Sequence, residues 1–209
     1  MARRGPAVLP ALLAVVLLLL AGCSSASGGS SDDAGDLHGT RLGQPYVAPT
    51  ASLTDTEGAA YSLAGQTDKP LTLVFFGYTN CPDICQMVMA NIASALTRLD
   101  ADERKRVDLA FVTTDPARDD EATLRDYLAR FGDGLVGLTG SMPQILDVGE
   151  SFHVYIDKGP KLASGGYEVT HDTHVFAIDA DDEVPVLWDA DTSAADFADD
   201  ISTLLKADT

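Results

Sequence analysis

An α/β fold with a central mixed β-sheet, flanked by helices on both faces, is predicted by three observations. An apolar run rich in β-branched and aromatic residues, Leu71 to Phe76, ends at Gly77 and passes through a loop into a helical pattern. A second apolar run, Val107 to Thr113, leads into another helix. Short strand candidates separated by turns then fill Phe152 to Trp188, ahead of a closing amphipathic helix. A strand–helix–strand unit followed by antiparallel strands and a helix builds a mixed sheet covered on both sides.

Taken in order, the chain opens with a segment that does not belong to that fold. Arg3 and Arg4 precede an apolar run, Ala7 to Ala21, too short and too N-terminal for an ordinary membrane span. It ends Leu20-Ala21-Gly22-Cys23, which resembles a bacterial lipobox. Residues 1–22 are therefore expected to be a cleaved lipoprotein signal peptide, with Cys23 as the lipid anchor. A plain secretory signal or an uncleaved anchor is the alternative, but neither needs a cysteine at the cut site. Lipidation would hold the protein on the extracytoplasmic face of the cell membrane. From Ser24 to about Asp36 the chain is Ser, Gly, Ala and Asp, with no apolar pattern to fold on. The expected organisation is a flexible tether over 23–41 and one folded domain over 42–209.

Within the domain, Val47 to Leu53 and Tyr61 to Leu63 read as an N-terminal β-hairpin with Asp55 to Gly58 as its turn. After the strand at Leu71, the helix begins near Cys81-Pro82-Asp83-Ile84-Cys85, and Val88, Ile92, Leu96 and Leu99 share one face. The strand Val107 to Thr113 ends at Thr114-Asp115-Pro116. Asp119 is the expected N-cap of a helix lined by Leu124, Tyr127, Leu128 and Phe131, and Gly132 closes it. Leu135 to Leu138 is a short apolar run, and Ser141 caps a helix carrying Ile145 and Leu146. Phe152 to Ile156 alternates as a strand, and Asp157 to Pro160 reads as a turn or loop. Tyr167 to Val169, Val175 to Ile178 and Val184 to Trp188 are strands. A helix from about Ser193 buries Phe197, Ile201, Leu204 and Leu205. With a cysteine pair at the first strand-to-helix junction, this order points to a thioredoxin-like fold.

The 209 residues carry 14 Lys and Arg against 32 Asp and Glu, a net charge of −18. Loss of residues 1–22 removes two arginines and no acid, so the balance becomes 12 against 32. Such a surface does not grip nucleic acid or an anionic membrane. Of three cysteines, two remain once Cys23 is an anchor. Cys81 and Cys85 lie four residues apart and close almost no loop, so the spacing argues for chemistry rather than stapling. A helix N-terminus favours their thiolates. A soft metal or thiol redox chemistry fits such a pair.

Four histidines could complete a site. His38 falls in the tether and is expected to be solvated, and His153 reads as the second residue of a strand. His171 and His174 flank Asp172-Thr173 ahead of the strand Val175 to Ile178, where an imidazole could reach a neighbouring loop. Two thiolates and one imidazole suit Cu(I) in trigonal geometry and hold Cu(II) with a weaker fourth ligand. Zinc accepts the same donors, though the Irving–Williams order puts copper first. Asp115 and Asp119 lie at the carboxyl end of the second strand, near the thiols in a parallel arrangement. They read equally as an acidic patch beside the site or as a turn residue and a cap.

FFGYTNCPDIC resembles the cysteine motif of the Sco/SenC family of copper-binding assembly proteins. TTDPARDDEATLRDYLARFG is similar to that family's aspartate-proline-x-arginine-aspartate segment and the helix after it. Val136 to Gly140 and Phe152 to Tyr155 fall in the family's order, and the similarity runs over roughly residues 42 to 206. The resemblance implies a thioredoxin-like scaffold and a copper site of Cys81, Cys85 and a distal histidine about five positions ahead of an aromatic. Counting back from Phe176 selects His171 over His174, and Tyr167-Glu168-Val169 also fits. Two departures stand out: Asn80 where the family often has histidine, and Asp172 where it more often has Ser or Thr.

The implied function is a membrane-anchored copper metallochaperone. It would take copper from a donor protein and help assemble the dinuclear centre on subunit II of cytochrome c oxidase. The alternative is an extracytoplasmic thiol–disulfide oxidoreductase, with Cys81 and Cys85 as a redox dithiol that reduces the acceptor's cysteines. Only the second would be an enzyme. A peroxidase on the same fold would not be expected to carry a second thiol four residues on.

Overall fold

The computed structural model describes residues 37–65, 69–162 and 166–207. The expected signal peptide, Cys23 and residues 24–36 of the tether lie outside the described residues. Among the described residues, no helix is long and apolar enough to cross a membrane.

In chain order the strands are β1 (Thr40–Val47), β2 (Ser52–Asp55), β3 (Ala60–Ser62), β4 (Leu71–Gly77), β5 (Val107–Thr113), β6 (Val136–Thr139), β7 (Ile156–Lys161), β8 (Tyr167–His171), β9 (Val175–Ile178) and β10 (Glu183–Trp188). The helices are α1 (Ile84–Arg98), α2 (Ala101–Lys105), α3 (Glu121–Leu128), α4 (Met142–Ser151) and α5 (Ala194–Ala207). Eight strands form one sheet in the order β1-β10-β9-β4-β5-β6-β2-β3, and β7 and β8 form a separate ribbon.

Strand β4 is buried along its whole length. Its alternation divides the core into two layers. Leu71, Leu73 and Phe75 face α1, α3 and α5, together with Met89, Ile92, Tyr127, Phe197 and Ile201. Val74 and Phe76 face α4, against Ile145, Val148 and Phe152. Strand β5 runs parallel to β4, from Leu71 opposite Val107 to Gly77 opposite Thr113. β6 runs parallel to β5, whereas β9 lies antiparallel on the other side of β4. The carboxyl ends of β4 and β5 therefore open at the same edge, and the cysteine loop leaves from there.

The predicted hairpin forms as β2 and β3. Val47, however, belongs to β1, which pairs antiparallel with β10 at the opposite edge of the sheet. That strand begins at Thr40, two residues inside the expected tether. It is fastened by Asp200, 1% exposed, whose carboxylate accepts from the amides of His38 (3.0 Å) and Gly39 (2.8 Å) and from Trp188 Nε1 (2.7 Å).

Four other expectations are corrected. The N-cap of α3 is Asp120, which accepts from the amide of Thr123 at 2.8 Å, while Asp119 is fully buried and turned toward the cysteine loop. Phe152 and His153 end α4 rather than open a strand, and His153 adopts a left-handed φ of 55°. Asp157 to Pro160 is not a loop but the middle of β7. Gly159 and Pro160 are tolerated because the register slips between Lys158 and Lys161 on a two-stranded ribbon. Leu204 is only partly buried. Helix α2, capped reciprocally by Asp100 and Glu103, was not anticipated.

Candidate metal centre

Gly77 is the last residue of β4, and a Cβ there would meet the Phe111 ring at 2.9 Å. The chain then turns out of the sheet, with the amide of Cys81 bonded to the carbonyl of Tyr78 at 3.1 Å. Helix α1 follows, and its N-cap, Asp83, makes no side-chain capping bond. Cys81 Sγ instead accepts from the amide of Cys85 at 3.4 Å. A sulfur thus occupies the place of the capping oxygen, where free N–H groups and the helix dipole stabilise negative charge. Both thiols are free and buried, Cys81 at 5% and Cys85 at 0% exposure.

His171 closes the site from the far end of β8. Its Nδ1 lies 2.6 Å from the carbonyl of Asp172. A carbonyl only accepts, so Nδ1 carries the proton and Nε2 presents its lone pair. Nε2 lies 3.6 Å from Cys85 Sγ. The ring stands edge-on to Tyr78 and Phe75, with centroids at 5.7 and 6.4 Å. One donor atom from each of Cys81, Cys85 and His171 lies within 4.8 Å of the others, the sole such group of His, Cys, Asp and Glu among the described residues.

The two thiols divide the acidity between them. Cys81 is pulled down to about 4, chiefly by the hydrogen bond it receives from Cys85 and further by backbone amides, against the effect of burial. Cys85 is pushed up, first by donating that bond and then by burial. The resting pair is a Cys81 thiolate beside a Cys85 thiol, sharing one proton. Burial also raises Tyr78.

The structure sorts the sequence-predicted residues. Cys81, Cys85 and His171 converge. His174 does not: its Nδ1 faces Asp172 Oδ1 at 2.5 Å and its Nε2 faces Asp189 Oδ1 at 3.1 Å, so both nitrogens are engaged elsewhere. His38 is largely exposed, 3.6 Å from Asp196, and His153 packs on Tyr46 with ring centroids 4.6 Å apart. Asn80 is exposed and bonds Thr79.

Asp119 is an anchor for the cysteine loop. It accepts from Thr79 N (3.0 Å), Thr79 Oγ1 (2.6 Å) and Thr113 Oγ1 (2.7 Å). Asp115, 3% exposed, accepts from Arg118 Nε and from Tyr167 Oη at 2.7 Å. Arg118 stacks over the Tyr167 ring at 3.8 Å. These contacts tie the end of β5 to β8, the strand that carries His171. Sequence reading missed Tyr167, Arg118 and Thr79 as supports. Their signal was weak, because ordinary polar residues near a turn gain such roles only through partners up to 52 residues away.

A model of the SCO1/SenC family matches residues 40–206. The chain is 38% identical over 110 residues to the mitochondrial SCO2 homolog of Danio rerio, covering 52% of this chain and 39% of that one. It thus spans less than half the length of that relative. The structure of Bradyrhizobium japonicum ScoI with copper bound superimposes at a TM-score of 0.65 with 32% identity, covering 77% of this chain and 98% of that one. Arabidopsis thaliana ScoI with copper bound does so at 0.71 with 25% identity, covering 77% and 99%. The mixed sheet, the layers of helices and the cysteine junction are those of the thioredoxin-like scaffold, and the chain belongs to the SCO1/SenC family.

Proposed function

We propose that the protein is a copper metallochaperone anchored to the membrane through Cys23. One copper ion is its cargo, held by Cys81, Cys85 and His171. The observation that carries this reading is the convergence of two sulfurs and one unprotonated imidazole nitrogen within 4.8 Å, on two elements braced against each other. The copper-bound structures of two relatives support it. Two thiolates and an imidazole satisfy Cu(I) in a trigonal plane, and Cu(II) needs one further weak ligand. An incomplete coordination sphere is what delivery requires, since the acceptor's thiolates must be able to attack the metal. The acceptor in this reading is the dinuclear copper centre of cytochrome c oxidase subunit II, loaded at the extracytoplasmic face after a donor protein supplies the ion. In this reading the residues between Cys23 and the segment fastened to Asp200 join the lipid to the domain.

The test uses residues 24–209 with reduced thiols, titrated with Cu(I), Cu(II) and Zn(II). One copper per chain is expected, with sulfur-to-copper charge transfer for Cu(II). That absorption is lost in Cys81→Ala and His171→Ala and kept in His174→Ala. No stable copper in the wild type overturns the reading.

A second reading has its own observation, the unequal acidity of the two thiols. As an oxidoreductase, the Cys81 thiolate would attack one sulfur of an acceptor disulfide and release the other as a thiolate. Cys85 would then resolve the mixed disulfide, leaving Cys81–Cys85 oxidised and the acceptor reduced by two electrons. Rapid disulfide exchange with no stable copper would select it.

A further inference from the structure

A polar chain begins behind His171 and ends at the protein surface. The carbonyl of Asp172 holds His171 Nδ1 at 2.6 Å, and the amide of Asp172 is fixed to the carbonyl of Tyr155 at 3.1 Å. The carboxylate of Asp172 does not touch His171. It turns the other way and accepts from the amide of His174 at 2.8 Å, with His174 Nδ1 at 2.5 Å. His174 Nε2 continues to Asp189 at 3.1 Å, on the turn after β10. The two carboxylates sit on opposite nitrogens of one ring, so they cannot converge on a second metal ion. They form a brace.

We infer that Asp172, His174 and Asp189 are positioning residues that lock the Asp172–Thr173 peptide, and with it the tautomer and aim of the copper-ligating ring. The inference rests on the copper reading only for its purpose, since the brace itself is a property of the metal-free chain. The physical need is plain. β8 ends at His171 and β9 starts at Val175, so the ligand sits at the mouth of a short linker that neither strand's ladder controls. A carbonyl can select the Nδ1–H tautomer only if its peptide plane is held. Asp172 holds that plane by a turn onto its own chain, and His174 transfers the turn to β10, which the sheet keeps rigid. The Tyr155 carbonyl fixes the preceding peptide, between His171 and Asp172, from the side of β7.

The test is nitrogen NMR of the reduced, metal-free protein at a pH where the ring is neutral. It compares the wild type with Asp172→Ala, Asp172→Asn, His174→Ala and Asp189→Asn. The wild type is expected to show His171 with Nδ1 protonated and Nε2 bare. Asp172→Ala and His174→Ala are expected to give a mixture of tautomers, while Asp172→Asn, which keeps an acceptor for the His174 amide, restores the wild-type pattern. Asp189→Asn, on a side chain 73% exposed, tests the outer end without risk to folding and should loosen the ring partially. Cu(II) affinity should fall about ten-fold in Asp172→Ala and His174→Ala, the lower end of what loss of an outer partner costs a metal site. An Nε2-protonated wild type, or identical tautomer ratios in all variants, overturns the brace whether or not copper binds. A braced ring in a wild type that takes no copper overturns only the metallochaperone.

Discussion

Asp119 holds Thr79 by both its amide and its hydroxyl, at 3.0 and 2.6 Å, and so fixes the loop two residues ahead of Cys81 to the end of a different strand. The carboxylate is fully buried, and Thr113 supplies a third donor at 2.7 Å. The cysteine loop is therefore set from outside itself. Its sulfurs take their positions from a side chain 38 residues further on.

Removing that carboxylate should be costly. Asp119→Ala strands the half-buried amide and hydroxyl of Thr79 and the buried hydroxyl of Thr113, and a loss of about 2–4 kcal/mol is expected, since bonds to a charged group are worth more than neutral ones. Urea unfolding should show a lower midpoint at unchanged slope. Copper affinity should fall as well, because the Cys81 loop loses its anchor. Asp119→Asn should recover part of both.

The acidity of Cys81 depends on its neighbour. In the wild type, alkylation at Cys81 should hold a constant rate from about pH 6 upward, since its thiolate already forms at about 4. Cys85→Ala removes the donor that stabilises this thiolate, so the midpoint should climb toward the ordinary thiol range. Iodoacetamide kinetics against pH, read by mass spectrometry of the modified peptide, decide the matter.

The same shifts make stability depend on pH. The folded-state value of Cys81 lies below its unfolded value, so the native state holds fewer protons and its stabilisation is lost as pH falls toward 4. Cys85 has the opposite sign: its folded value is raised, so its contribution is present below the ordinary thiol range and lost as pH rises through and beyond it. Cys81→Ala should therefore flatten the rise of stability between acidic and neutral pH. Thermal unfolding at a series of pH values measures the slope.

Asp200 should govern where the folded domain begins. Asp200→Ala leaves the indole N–H of the fully buried Trp188 and two main-chain amides without their acceptor. A loss of about 2–4 kcal/mol is expected, together with new proteolytic cleavage before Thr40. The thiols lie on other elements, so alkylation of Cys81 should be unchanged.

Gly77 tests the close approach of β4 to β5. Gly77→Ala drives a methyl group to within 2.9 Å of the Phe111 ring, itself fully buried. An overpacking cost of about 1–3 kcal/mol is expected, measured by denaturant unfolding.

The sequence by itself determined the elements whose signals are local. The run from Leu71 to Gly77, the stripe Val88, Ile92 and Leu96, the strand Val107 to Thr113 and the closing helix are periodic patterns, and periodicity is a property of consecutive residues. The cysteine spacing also singled out Cys81 and Cys85, while His171 was favoured over His174 only through the family resemblance, counted back from Phe176. Only the tertiary structure decided what depends on partners distant in the chain. It placed β1 against β10 and made Asp157 to Pro160 a strand, because ribbon and edge positions are set by the neighbouring strand rather than by propensity. It moved the helix cap from Asp119 to Asp120, since adjacent aspartates carry the same local signal and only the contacts of Asp119 with Thr79 and Thr113 distinguish them. It sent His174 to two carboxylates and His171 to the thiols, a choice made by the direction in which β8 ends.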